Sequence, residues 1–293
     1  MRLSVFATAL TTRHDDQDDV VGRGSIPIVH DQSIAFTEFR LRTELGLTER
    51  LGVALMLPFR ALRTDIRYLD QAGAEVELVN SNIHHRDETL TGPGDPWLLG
   101  RYGLARGRAS IEVQLGASIP FGRTEEDPFA RGDLGLSHQH MQFGTGTVNP
   151  IVALELARRF DRWSLSAYAL TVQMLYENGK GYQAGDRYGA GLAAESALGT
   201  TRWGFRVGTD LQGETRELWN GISHPDEGNQ GRVDWLLSAG VRRRLGDGYE
   251  LTATVKVPLV THAVGGQLDF PAMVDVGISG SFALFGGGGG GGG

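Results

Sequence analysis

The chain has 293 residues, 40% hydrophobic, with mean hydropathy -0.20 and a formal charge of -7, values that fit a folded protein rather than a disordered one. The acidic balance argues against a nucleic-acid partner, and the absence of cysteine excludes a disulfide framework, thiolate metal sites and a cysteine nucleophile. No apolar run approaches the roughly 18 to 20 residues of a membrane-spanning helix, whereas a transmembrane barrel, whose strands need only about 9 to 11 residues, stays open.

The start, MRLSVFATALTTRHDD, has neither a convincing signal core nor a small-residue cleavage site, and is expected to be the beginning of a mature or trimmed chain already in strand. From there, polar and apolar residues alternate with period two over 2–12, 33–46, 51–66, 95–104, 109–120, 147–157, 162–175, 187–198, 201–212, 232–244, 249–260 and 271–284. The pattern predicts about twelve strands. Short connections, LTER, ARGR, RFDR, LGTT and LGDG, alternate with long polar ones at 13–32, 67–94, 121–146, 176–186, 213–231 and 261–270. This is the arrangement of an all-β, transmembrane, antiparallel up-and-down barrel with short periplasmic turns and long extracellular loops. All ten prolines fall in the long segments or toward the strand ends nearest them, as the missing ladder donor requires. A single barrel over 1–285 and a flexible tail of Gly286 to Gly293 complete the expected organisation.

The faces sort by chemistry. One carries Phe39, Leu41, Leu45, Leu51 to Phe59 at odd positions, Ile111 to Ile119, Trp203 to Leu211, Val233 to Val241 and Val274 to Phe282, and is expected to meet lipid, with Trp163, Tyr188, Trp203, Trp235, Tyr249 and Phe282 as interfacial aromatics. The other carries Glu44, Arg101, Gln114, Asp210, Arg242, Lys256 and Asp275 together with ten residues expected to line the lumen: Glu38, Arg40, Arg42, Glu112, Glu155, Arg187, Glu195, Arg202, Arg206 and Asp234. Their expected role is to hydrate a passage and bias its charge, without covalent chemistry or a cofactor. A two-layer sandwich would turn that face to water, and a lipocalin-like soluble barrel would invert the faces but rarely needs twelve strands.

The segments GPGDPWLLGRYGL (92–104), GASIPFGRTEEDP (116–128), QFGTGTVNPIVALELARRF (142–160) and YENGKGYQAGDRYGAGLAAE (176–195) resemble a family of outer-membrane barrels described by a MetA pathway of phenol degradation, loosely related to aromatic and fatty-acid transporters. The resemblance covers about half the chain and consists mostly of glycines, prolines and aspartates at loop edges. It implies passage of small, apolar or aromatic solutes across the outer membrane. Fatty-acid transporters of this broad type carry an N-terminal plug, and the strand pattern beginning at Arg2 departs from that. In the residues themselves, Gly94, Gly144 and Gly146 are expected to supply positive φ at the rim, and Asp95 and Asn149 to satisfy free backbone amides.

Three His and acid clusters, HDDQDD (14–19), HHRDE (84–88) and HQHM (138–141), offer donors for Zn, Cu or Ca, but none matches a known ligand spacing, so hydrated loop is the expectation. A lipid hydrolase would need a nucleophile beside a base, for which Thr261 with His262 and Ser137 with His138 are the pairs available. The expected partners are outer-membrane lipid and lipopolysaccharide, a small solute, and protein partners in an envelope assembly if the barrel serves instead as a non-conducting anchor.

Overall fold

The computed structural model describes residues 1–79, 87–196, 202–224, 229–246, 248–264 and 268–282. Its strands are β1 (Arg2–Val20), β2 (Gly24–Gly46), β3 (Leu51–Asp70), β4 (Glu88–Pro93), β5 (Trp97–Arg106), β6 (Ala109–Ser118), β7 (Asn149–Arg159), β8 (Trp163–Val172), β9 (Tyr182–Gln183), β10 (Arg187–Ser196), β11 (Trp203–Glu214), β12 (Leu218–Trp219), β13 (Arg232–Arg244), β14 (Tyr249–Ala263) and β15 (Met273–Gly280), with one short helix α1 (Pro128–Asp133). Each long strand pairs antiparallel with its sequence neighbour, and β1 closes the ring by pairing with β15, Val5 opposite Val276. Twelve strands make the wall. β4 and β5 lie end to end along one edge of β3, interrupted at 94–96 between Pro93 and Pro96, which lack the ladder donor. β9 and β12 pair only with each other, away from the wall.

Alternation sets the two faces of this cylinder. On β2 and β3 the outward rows run from Leu45 with Val53 up to Phe39 with Phe59 and Thr37 with Ala61, and only above that do Asp31, Arg63, Asp65 and Arg67 appear. Nine residues, 37–45, at about 3.3 Å each and tilted as barrel strands are, span roughly the 25 Å apolar band of an outer-membrane barrel. Water could not tolerate this surface, since Phe39, Leu57, Leu115, Phe205, Val207 and Trp235 are all exposed. Trp163, Trp203, Tyr249 and Phe282 sit exposed beside the short turns, and Tyr188 and Trp235 near the opposite strand ends, so the aromatics form two girdles.

Two expected loops are not loops. Segment 13–32 continues the β1–β2 hairpin to a tight turn at 21–23, with ladder partners as far as Val20 opposite Gly24, and β3 runs on to Asp70. These strands stand well above the membrane as a β-wing. Its polar residues hide the period because water reaches both faces, yet the wing has its own core: Val20, Ile28 and Leu78 pack with Ile26, Tyr68 and Val76. Arg67 pairs with Asp31 at 2.5 Å and Arg23 with Asp70 at 3.1 Å. The Asp70 carboxyl lies below its usual range because the Ala74 amide, Arg23 and the Ala72 amide all donate to it. The tail Gly286 to Gly293 lies outside the described residues.

Candidate functional site in the barrel lumen

Even-numbered residues of β2 and β3 and their counterparts around the ring point inward, and the register lays carboxylates against guanidinium groups. Glu38 is one of three deeply enclosed acids, with Asp210 and Asp234; its side chain is 7% exposed and accepts from Arg40 Nε at 2.5 Å and Arg60 Nε at 2.7 Å. Arg40 also lies 3.9 Å from Asp275, which takes Arg2 at 3.1 Å, and stacks over the Phe6 ring. Toward the short turns, Arg42 holds Glu44 at 2.6 Å and donates to Gln114, while Arg101 bridges Glu44 to Glu112. Gln114, 2% exposed, in turn donates to Glu112 at 2.8 Å and Glu155 at 2.9 Å. Across the ring Glu195 lies 2.5 Å from Arg242 and 3.7 Å from Arg206. Lys256 and Tyr168 converge on Asp210 at 3.1 and 2.8 Å. Near the outer end Arg187 meets Glu214 at 3.4 Å, and Arg232 and Thr261 satisfy Asp234.

Nine of the ten residues expected at the lumen are therefore on the inner wall. Arg202 is not: it precedes β11, is exposed, and has φ 60°. Its carbonyl accepts from the Arg244 amide, one step beyond the Trp203–Arg243 pair of β11 and β13, but its left-handed backbone takes its exposed side chain out of the alternation. Arg60 and Arg232, which the sequence reading did not place at the lumen, pair with acids that it did. Both flank prolines or loop edges, where alternation is easily overlooked.

The inner wall also carries apolar clusters that alternation alone did not disclose, one beginning at Ala54 opposite Glu44 beside the charged belt and one beyond Arg60 toward the outer end. Ala54, Leu99, Ile151 and Val172 form an inner row onto which Met174, Tyr182, Ala184 and Trp219 fold from β9, β12 and their flanks. A second cluster joins Ile34 and Leu62 to Phe143, with Leu10, Phe36, Leu90, Met141 and Leu268 around it. Trp219 and Phe143 are each 2% exposed, so these loop residues lie inside the cylinder. Burial pushes the Tyr182 phenol up, and it pushes the Glu217 carboxyl to about 7 against the opposing donation from the Asn229 amide.

The rim motifs fasten that segment. Asp95 accepts from the amides of Phe121, Gly122 and Thr145 and from the Thr145 hydroxyl, at 2.7 to 3.0 Å. Asn149, fully buried, donates to Ser118 and Thr145 and accepts from Thr147 Oγ1; its partners are side chains and the Thr147 carbonyl, not the free amides expected for it. Gly146 has φ 73° as expected, but Gly94 and Gly144 do not take the left-handed region. Close approach explains them: a Cβ on Gly144 would lie 2.5 Å from Asp95 Oδ1, and one on Gly94 within 3.2 Å of the Arg60 guanidinium.

Thr261 and His262 do not assemble as a nucleophile and base pair. His262 is exposed on the outer face opposite Val233, whereas Thr261 faces inward on Asp234, so they cannot act together. His138 Nδ1 contacts the Leu136 carbonyl at 2.9 Å, and the Ser137 carbonyl accepts from Arg131. His138 and His140 rings meet at 5.2 Å, with His140 against Phe129 and Phe129 stacked on His224, an aromatic group rather than a ligand set. His84 and His85 lie outside the described residues. Of the first cluster, Asp16 and Asp18 are joined by His30, with donor atoms within 4.8 Å of one another, and His30 Nε2 is engaged with Asp18 at 2.7 Å.

Comparison with known proteins bears on the fold and the family. No curated protein matches the chain in sequence. Among solved structures, the COG4313 outer membrane channel from Pseudomonas putida F1 is similar with TM-score 0.57 and 13% identity, covering 94% of each chain. A FadL homologue from Pseudomonas aeruginosa follows with TM-score 0.47 and 12% identity over 96% of this chain and 90% of that one. The toluene transporter TbuX from Ralstonia pickettii gives TM-score 0.42 and 10% identity over 96% and 90%. The fold is that of an integral outer-membrane barrel. A family model described as "Putative MetA-pathway of phenol degradation" matches residues 15–262, and the chain belongs to that family.

Proposed function

We propose that the protein is an outer-membrane channel or facilitator for small solutes, apolar or aromatic in class, and that Glu38, Arg40, Arg42, Glu112, Glu155, Arg187, Glu195, Arg206 and Asp234 line its passage. The observation that carries this reading is the apolar inner lining around Phe36, Leu62, Phe143 and Leu90 at the outer end, set above a belt of paired charges. A lumen for polar solutes alone would be polar throughout. The apolar layer gives a hydrophobic solute a reason to enter, and the hydrated belt below binds it weakly enough for release, the balance that passage requires. The family description and the channel named in the Pseudomonas putida F1 structure support the same reading.

The barrel reconstituted in planar bilayers and in vesicles tests it. Steady ion-selective current altered by Arg206→Ala, with uptake of a neutral monoaromatic slowed by Phe143→Ser, is the expected outcome. Silent bilayers with no uptake above protein-free vesicles would leave the non-conducting anchor as the better account. Release of fatty acid from phospholipid, with calcium present, would make it a hydrolase.

A further inference from the structure

The outer wall is not uniformly convex. Over β7, β8, β10 and β11 it is indented by a groove of about 680 Å³. Its floor is made by Ala167, Ala194 and Thr209, and its sides by Leu156, Leu165 and Leu192. Small residues occupy both faces here: behind these outward positions the inner wall holds Ala157, Ser166, Ala193 and Gly208. Gly208 is packed tightly enough that a Cβ would lie 2.9 Å from Ser238 Oγ. The one hydroxyl in the floor is already used, because Thr209 Oγ1 donates to the Leu236 carbonyl and accepts from Trp235 Nε1. The floor is therefore dry and apolar.

The groove lies in the half of the apolar belt next to the short turns, and at that end its lining includes Arg158, two residues beyond Leu156 on the same outward face. The Arg158 guanidinium rests 5.3 Å over the Phe160 ring, which is itself stacked on Trp163, at the level of the girdle. Among the described residues no carboxylate pairs with Arg158. An apolar trough capped by a cation at the headgroup level has the charge pattern of one class of molecule. We infer that the groove is a phospholipid site of the periplasmic leaflet, holding one acyl chain along Ala167 and Ala194 and the lipid phosphate on Arg158. Occupancy fills the indentation and fixes this part of the wall at a defined thickness.

The test uses the full chain purified in mild detergent, exchanged to a delipidating one, and titrated with dioleoylphosphatidylglycerol while bound lipids are counted by native mass spectrometry. The wild type is expected to retain one phospholipid, Arg158→Ala to bind it about tenfold more weakly through loss of a charge-assisted hydrogen bond, and Ala167→Trp or Ala194→Phe to lose it. Arg243→Ala, an exposed arginine at the short-turn end of β13 whose register partner Trp203 is outside the groove, serves as the control and retains it. Dioleoylglycerol, which lacks the phosphate, is not retained. The heat-dependent gel shift of a folded barrel checks each variant, and the exposed Arg158 change reports even where a groove-filling one fails to fold. Equal retention by every variant, or of both lipids, overturns the inference. So does a dimer that disappears when the groove is filled, which assigns the groove to a second copy of the chain.

Discussion

Glu38 is a buried acid held between two cations, and the structure makes its loss costly. Its side chain is 7% exposed and accepts from Arg40 and Arg60, whose side chains are 34% and 21% exposed. Breaking a buried pair by removing one partner costs about 3 to 5 kcal/mol because the remaining charge stays desolvated. Here both cations keep some contact with water, and Arg60 retains the Phe143 carbonyl at 2.8 Å, so the discounted expectation for Glu38→Gln is about 2 kcal/mol. Glutamine keeps the volume and one acceptor, which isolates charge from packing. Reversible urea unfolding in lipid vesicles, followed by tryptophan fluorescence and gel mobility, gives the number. A double-mutant cycle with Arg60→Gln is expected to show coupling of about 1 kcal/mol or more. A change below about 0.5 kcal/mol for Glu38→Gln, or strict additivity with Arg60→Gln, would refute the view that the inner belt is held by paired charges.

Other expectations follow from single contacts. Glu217 is raised from 4.5 to about 7 by burial, so folding favours its protonated form; that stabilisation is complete below about pH 4.5 and is lost as the pH rises through 7, and Glu217→Gln should flatten the fall in melting temperature between pH 5 and 8. Asp95→Ala leaves three backbone amides without their acceptor, and amide exchange at Gly122 and Thr145 should quicken about tenfold or more while the wall strands stay protected; unchanged exchange would separate the rim motif from loop docking. Arg206→Ala is expected to shift ion selectivity, whereas Arg202→Ala, exposed in a turn, should leave it unchanged, both read from reversal potentials in planar bilayers.

What the sequence disclosed follows a physical boundary. Where lipid lies outside and water inside, as along Leu51 to Phe59 or Val233 to Val241, alternation is forced and the strands were legible to within a few residues. Where water lies on both sides the constraint vanishes, and so Arg13 to Val20 and Gly24 to Gln32 read as loop though they are paired throughout. Inside the barrel the loss is of another kind. Phe143, Tyr182 and Trp219 sit in segments with no period, and only the tertiary fold makes them a lining. Arg202 shares parity with Arg206, but its own left-handed backbone takes its side chain out of the alternation, which periodicity cannot register. The motifs GPGDP and QFGTG marked the right places for a partly different reason, since close packing around Arg60 and Asp95, rather than positive φ, selects Gly94 and Gly144.

The native chain has no cysteine, so single substitutions along β6 can be labelled without background. With the barrel in sealed vesicles, a small membrane-impermeant thiol reagent should modify cysteine at the inward Ser110 and Glu112, and fail at Ile111, Val113 and Leu115, which instead should react with a lipid-dissolved reagent. Equal labelling of both series, or the opposite alternation, would contradict a charged interior within an apolar wall.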